Sequence, residues 1–276
     1  MNTEPSLALQ PQKPLGSDPL SFSQINTWLA CPLKYRLRYV EGIARPMAAG
    51  EFMARMVYAG LDHYYRQKQA GEPLSAADLA QYEHECWDSA ALASGVRFAS
   101  TVEEQAARQQ TIDLLSTYLD RVPPVEPRPL EVKRTLKAPL IDPDSGEDLG
   151  LPLVGTLDLL VPEANGPLIV AFKVVARNNP QLETAAEIQL ACLAYLLGNA
   201  YGLPETGIEI CQLVKTKVPQ IVWHRYAARE EIHFRRLFAV IRAFLGDLQR
   251  RRFVFRPDLG CSWCDYRDGA CADWAG

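Results

Sequence analysis

Gly155-Thr156-Leu157-Asp158-Leu159-Leu160, followed by Leu168-Ile169-Val170-Ala171-Phe172-Lys173-Val174-Val175, is the stretch on which the reading of the fold turns. The second run is nearly all apolar and rich in valine, the mark of a strand covered on both faces. The first lies inside a strand expected over Leu151–Val161, where Asp158 stands among Leu157, Leu159 and Leu160. A carboxylate in such company is costly unless it is paired or holds a cation. Taken singly, Asp158 reads as a solvent-facing strand residue and Lys173 as a strand-end charge. Gln189 with Tyr195, in the helix that follows, then reads as a polar stripe.

Outward from this pair, Leu130–Leu136 reads as the preceding strand, with Asp142, Asp144 and Gly146 marking the turn into Leu151–Val161. A long amphipathic helix is expected from Pro180 to Tyr201. Strands Ile208–Val214 and Ile221–Tyr226 follow, joined by Lys215 to Gln220, and Glu230 to Arg251 forms the last long helix. The first half is mostly helical. Ser21 and Ser23 read as caps of a helix holding Ile25, Trp28, Leu29 and Leu33 on one face. A second helix runs from about Ala48 to Gln69 and a third starts near Ser75. Thr101 with Glu104 forms a capping box for a fourth, which ends before Pro123 and Pro124. Residues 1–18 carry prolines and polar residues without a period and read as a flexible lead-in. The expected class is α/β: one domain over 19–276, with a helical part at 19–125, a small mixed sheet flanked by helices at 126–255, and a cysteine-rich tail at 256–276.

A chain of 276 residues can bury one sizeable core, or a core with a helical annex. Its formal net charge of -4 argues mildly against a coat for nucleic acid, which runs on basic surface, but leaves room for a local basic groove. Lys34, Arg36 and Arg38 cluster early and Arg250, Arg251 and Arg252 late; each cluster reads equally well as a solvated helix face. No apolar run reaches the length of a membrane span, and no secretion signal is visible, so a cytoplasmic location without membrane contact is expected.

The chain has seven cysteines, an odd number without an export signal, which points away from a disulfide framework and towards metal ligation by a clustered subset. Cys261-Ser262-Trp263-Cys264 and then Cys271 occupy the short tail. Cys31 opens Cys31-Pro32-Leu33-Lys34-Tyr35 on the first helix. Cys86, Cys192 and Cys211 sit in apolar settings and read as core.

Together the strand with Gly155 and Asp158, the strand ending in Lys173 and the helix with Gln189 and Tyr195 resemble the PD-(D/E)XK nuclease superfamily. Its signature is a Gly-x-x-Asp strand, an Asp/Glu-x-Lys strand beside it, and a helix bearing Gln and Tyr. The resemblance implies a restriction-endonuclease-like core in which two strand carboxylates clamp Mg²⁺ or Mn²⁺ and a lysine stabilises developing charge. Asp158 would be the metal ligand, Lys173 the catalytic lysine, and Gln189 with Tyr195 their support. Two departures matter. Ala171 stands where the family has its second carboxylate. In the helix near residue 54, where RecB-type members place a Gly and then a metal-binding His, this chain has Ala54 and Tyr58, with His63 facing elsewhere.

The cysteines, with Cys31-Pro32 upstream of a RecB-like chain, resemble the iron–sulfur branch of the same group, the AddB-type subunits and CRISPR-associated exonucleases. That resemblance implies a [4Fe–4S] cluster on Cys31, Cys261, Cys264 and Cys271, with zinc as the alternative for four thiolates. The expected function is a catalytically impaired, DNA-binding nuclease-family protein, acting on single strands or duplex ends and pairing with a helicase or other subunit. Restoring Asp at 171 is expected to raise cleavage. Two alternatives stay open. One is an active nuclease, either because Ala171 replaces a native Asp or because Glu183 or Glu187 supplies the missing carboxylate. The other is a metal-stapled scaffold for protein contacts. Repair, CRISPR-associated and defence settings are equally compatible.

Overall fold

The computed structural model describes residues 18–122, 126–179 and 182–274. All but the last residue of the expected lead-in, together with Pro123, Pro124 and Pro180, lies outside them. The chain gathers into two compact units. One takes the stretch up to Ile43, Pro139–Leu153 and everything from Phe238 on; the other takes Ala44–Ala138 and Val154–Leu237.

The strands are β1 (Leu20–Ser21), β2 (Glu131–Ile141), β3 (Asp148–Glu163), β4 (Gly166–Val175), β5 (Gly207–Val214) and β6 (Gln220–Ala227). The sheet runs β1-β3-β4-β5-β6, with β2 also against β3. β4 and β5 are parallel while their outer neighbours β3 and β6 run antiparallel to them. This is the expected small mixed sheet. Parallel neighbours cannot be joined by a tight turn, so α6 (Leu182–Tyr201) makes the crossover between β4 and β5. The β2–β3 hairpin turns where the sequence indicated. Asp142 Oδ1 accepts from the N–H groups of Asp144 and Ser145 at 2.9 and 3.2 Å, and Gly146 takes φ +71°.

In the larger unit, α3 (Ala49–Ala70), α4 (Ala76–Ser94) and α5 (Thr101–Arg121) pack together, and α3 and α5 cover the sheet. Tyr65 and Tyr118 meet Phe172 of β4, and Leu61 and Leu114 join the same fully buried core. Each such side chain contributes roughly 2–3 kcal/mol by leaving water. Ser75 caps α4 in a reciprocal box with Asp78. The cap of α5 is Ser100, one residue before the expected Thr101; Glu104 instead accepts from Trp87 Nε1 at 3.1 Å, which takes it out of the capping box.

The other unit begins with α1 (Phe22–Ala30), capped by Ser21 and Gln24. This helix does not continue to Leu33. Cys31 is extended, at φ -159° and ψ 112°, and α2 (Pro32–Tyr35) starts afresh behind it. A residue before proline is pushed out of the helical region, and proline suits the first position of a new helix. The break moves Leu33 and Cys31 out of the face set by Ile25 and Trp28. A π-helical turn follows at Arg36–Val40. The last long helix, α7 (Glu231–Gln249), stops short of Arg251, which adopts φ +52°.

One buried group stands apart from the apolar core. Glu83 of α4 is completely buried, neither carboxylate oxygen has a hydrogen-bond partner among the described residues, and a Cβ on Gly60 would lie 2.9 Å from it. Burial pushes its pKa from 4.5 to about 8. The folded chain therefore keeps the proton that the unfolded chain releases near pH 4.5, and stability falls as pH rises from there towards 8. Glu83→Gln should match the parent near pH 5 in urea denaturation and exceed it at pH 8, by an amount on the order of a few kcal/mol. Parallel pH profiles for the two proteins would refute this.

Candidate functional site

β4 is paired with β5 along its length, but with β3 only from Gly166↔Glu163 to Val170↔Leu159. Beyond that point two β4 amides turn to side chains. Phe172 N–H donates to Asp158 Oδ2 at 3.1 Å, and Val174 N–H donates to Tyr58 Oη at 3.1 Å. A buried N–H left without an acceptor costs about 1–3 kcal/mol, so these two side chains complete the strand where its neighbour leaves. Asp158 thus stands at the parting of β3 and β4, one residue past the last pair.

The other Asp158 oxygen is also engaged. Lys133 Nζ, from β2, lies 3.0 Å from Oδ1, and the same ammonium sits 5.5 Å from the centre of the Tyr58 ring. Asp158 is 22% exposed and Lys133 36%, so the pair is partly shielded from water. Lys133 adopts φ +50°, in the left-handed region that non-glycine residues avoid at a cost of roughly 1–2 kcal/mol. The alternation of buried and exposed residues along β2 breaks around it, between Val132 and Leu136. Burial raises the Tyr58 pKa and the charge on Asp158 adds to the rise, while the Val174 N–H opposes it.

Ala171 is buried on β4, and Lys173, two residues on, is half-buried. Burial lowers the pKa of Lys173, and among the described residues its ammonium has no ion pair. Across the β4–β5 register from it lies Gln212, fully buried, which donates to the Asn179 carbonyl and accepts from the Asn179 N–H, both at 3.2 Å. This fixes the backbone just after β4. Gly155 serves packing: a Cβ there would come within 2.7 Å of Leu196 of α6.

The helix pair is placed differently from the strand pair. Tyr195 sets its ring edge-on to Phe234 at 6.2 Å, and Gln189 is half-buried on the same helix. Glu187 pairs with Arg236 and Glu183 with Arg229, each at 3.0 Å. His63 stacks on Tyr82 with centroids 4.1 Å apart. Mg²⁺ leans on several oxygen ligands. Here Asp158 is committed on both oxygens, Ala171 offers no lone pair, and the nearby phenol is neutral. The residues present do not fit that ion.

The sequence reading missed Lys133 and Gln212. For Gln212 the available signal was a polar residue inside an apolar strand, the same signal that drew attention to Asp158; Lys133, among Glu131, Arg134 and Thr135, carried no such signal.

Cys31, Cys261, Cys264 and Cys271 line one cavity of about 340 Å³ in the smaller unit, together with Leu33, Leu37 and Tyr266. All four thiols are free and partly buried. Burial raises the Cys271 thiol, and the charges of Cys264, Cys31 and Cys261 push it further, which places it near all three. Lys34, Arg256 and Arg267 line the same cavity. Tyr266 Oη donates to the Ile43 carbonyl at 3.1 Å, and Leu33 N–H to the Val254 carbonyl at 3.3 Å. As placed, no group of three or more His, Cys, Asp or Glu among the described residues could already hold a metal ion. As a donor set, four thiols suit soft or borderline metals, iron–sulfur and zinc among them.

No helix among the described residues is long and apolar enough to cross a membrane. None of the curated proteins compared with the chain is significantly similar to it in sequence. Among solved structures, a protein named "Putative exonuclease" from Eubacterium rectale superposes with a TM-score of 0.54 at 12% identity, over 91% of this chain and 87% of its own. At that identity the likeness speaks to fold alone. SSO0001 aligns over 92% of this chain and 98% of its own at 11% identity, with a TM-score of 0.37, too loose to carry an argument. A family model, that of the PD-(D/E)XK nuclease superfamily, matches residues 19–271. That span takes in the parting strands, the lysine at the end of β4 and all four clustered cysteines; the chain belongs to the PD-(D/E)XK nuclease superfamily.

Proposed function

We propose that the chain binds DNA through its nuclease fold without hydrolysing it, and carries an iron–sulfur cluster on Cys31, Cys261, Cys264 and Cys271. The observation that bears most weight is Ala171. A buried methyl stands where the superfamily's second carboxylate would be, and Glu183 and Glu187, the candidates to replace it, are each held by an arginine. Two-metal or one-metal hydrolysis needs oxygen ligands this cleft lacks. Lys173 supports the binding half: a half-buried ammonium without an ion pair among the described residues is a ready partner for a phosphate oxygen.

For the thiol site, the donor set, its partial burial and Lys34, Arg256 and Arg267, which outnumber the one acidic lining residue Asp258, favour a negatively charged thiolate centre. A cluster there would tie the tail to the first helices and needs no carboxylate, so it persists independently of hydrolysis.

Two measurements test these halves separately. With Mg²⁺ or Mn²⁺, the chain should leave single- and double-stranded DNA intact while binding it, with log affinity falling as log salt rises by roughly 0.9 per phosphate neutralised on duplex. Lys173→Met should weaken binding and reduce that slope by about 1. Robust metal-dependent cleavage would reject the impaired site, and the absence of any salt-dependent binding would favour a scaffold. Protein purified without air should contain iron and sulfide that Cys31→Ser and Cys271→Ser each remove. Stoichiometric zinc without iron would displace the cluster.

A further inference from the structure

We propose that Lys133 is the resident counter-cation of Asp158, so that this cleft takes a phosphodiester oxyanion without a divalent ion and resists loading one even when a carboxylate is restored at 171. The choice of ligand rests on the DNA-binding reading above; the claim about the cation does not.

The argument starts from Asp158. A partly buried carboxylate in an apolar strand needs positive charge beside it. In this chain that charge is covalently supplied: the Lys133 ammonium is 3.0 Å from Oδ1, and the Phe172 N–H takes Oδ2. The β2 backbone holds Lys133 in a left-handed conformation. Strain of this kind persists only where the surroundings over-determine it. Tyr58 closes the arrangement by presenting its ring to the same ammonium and its oxygen to the next β4 amide. A divalent ion entering here would meet the Lys133 ammonium beside Asp158, and repulsion between charges a few ångströms apart amounts to several kcal/mol near a protein surface. Adding Asp at 171 supplies a ligand but leaves that repulsion in place. This revises the expectation that Ala171→Asp alone raises cleavage. With Asp158 and Lys133 neutralising one another, the charge left on this part of β4 is that of the half-buried Lys173, which suits a single phosphodiester oxygen and not a metal.

The test is a titration of Mn²⁺ alone, with no DNA, followed by electron paramagnetic resonance on the full-length chain. The proteins compared are the parent, Ala171→Asp, Lys133→Asn and the double variant. Asparagine is chosen because it tolerates positive φ while removing the charge; Lys133→Gly, free of strain at that φ, serves if the asparagine variant melts early. The double variant should bind one Mn²⁺ at least roughly tenfold more tightly than either the parent or Ala171→Asp. Adding Asp158→Asn should abolish that site, and Lys133→Arg in the Ala171→Asp background should keep the weak binding. Equal Mn²⁺ affinity in Ala171→Asp and the double variant would overturn the proposal. So would a parent chain that already binds one Mn²⁺ through Asp158. In a second arm, DNA affinity of the parent at constant ionic strength should be the same in EDTA as in Mg²⁺, and a loss in EDTA would also overturn it. If no DNA binds at all, the proposed function falls while the Mn²⁺ result still decides the role of Lys133.

Discussion

The candidate site exists because β4 has a full-length partner on one side and a partial one on the other. β5 follows it from Leu168 to Val175, whereas β3 leaves after Leu159 has met Val170. Two amides are exposed by that departure, and backbone hydrogen bonding must be completed somehow. Asp158 and Tyr58 complete it, and in doing so both side chains are fixed in place. The position of the functional groups is thus a by-product of finishing the sheet. The same constraint explains why the aspartate survives in a site without the usual second carboxylate: it has a structural duty towards Phe172 as well as any chemical one.

Much of this was legible beforehand. The strands announced themselves through valine-rich or leucine-rich runs, the hairpin turn through Asp142 and Gly146, and α4 through Ser75. What escaped depends on facts absent from a linear reading. Cys31 looked like part of one continuous helix because its neighbours kept a helical period; Pro32 decided otherwise. Ser100 and Thr101 are both good caps; Ser100 takes the role by accepting from Glu103 N–H, while Glu104 turns to Trp87. Lys133 and Asp158 are brought together by the register of β2 against β3, which no local pattern encodes. Gln212 reveals its purpose only once the chain beyond β4 is seen to double back to it.

On the proposed reading the fold has outlasted its chemistry. Gly155 gives Leu196 room whatever happens at Ala171, and the aromatic packing of Tyr65, Tyr118 and Phe172 involves no metal ligand. Selection for stability alone would retain these features. The catalytic elements are few, polar and separable from the core, and in this chain they are where the departures from the superfamily pattern accumulate.

The smaller unit brings the stretch up to Ile43 together with Pro139–Leu153 and the residues from Phe238 on, far apart in sequence. Leu33 bonds to the carbonyl of Val254, Arg256 reaches the carbonyl of Leu29, and Tyr266 seals against Ile43. For Leu29, Leu33 and Ile43, none of these partners exists until the stretch from Val254 to Tyr266 has been made. During synthesis α1 and α2 therefore wait with Leu33 and Leu37 uncovered while everything between them and the tail emerges from the ribosome, a delay that favours chaperone contact with the first segment over early, autonomous folding.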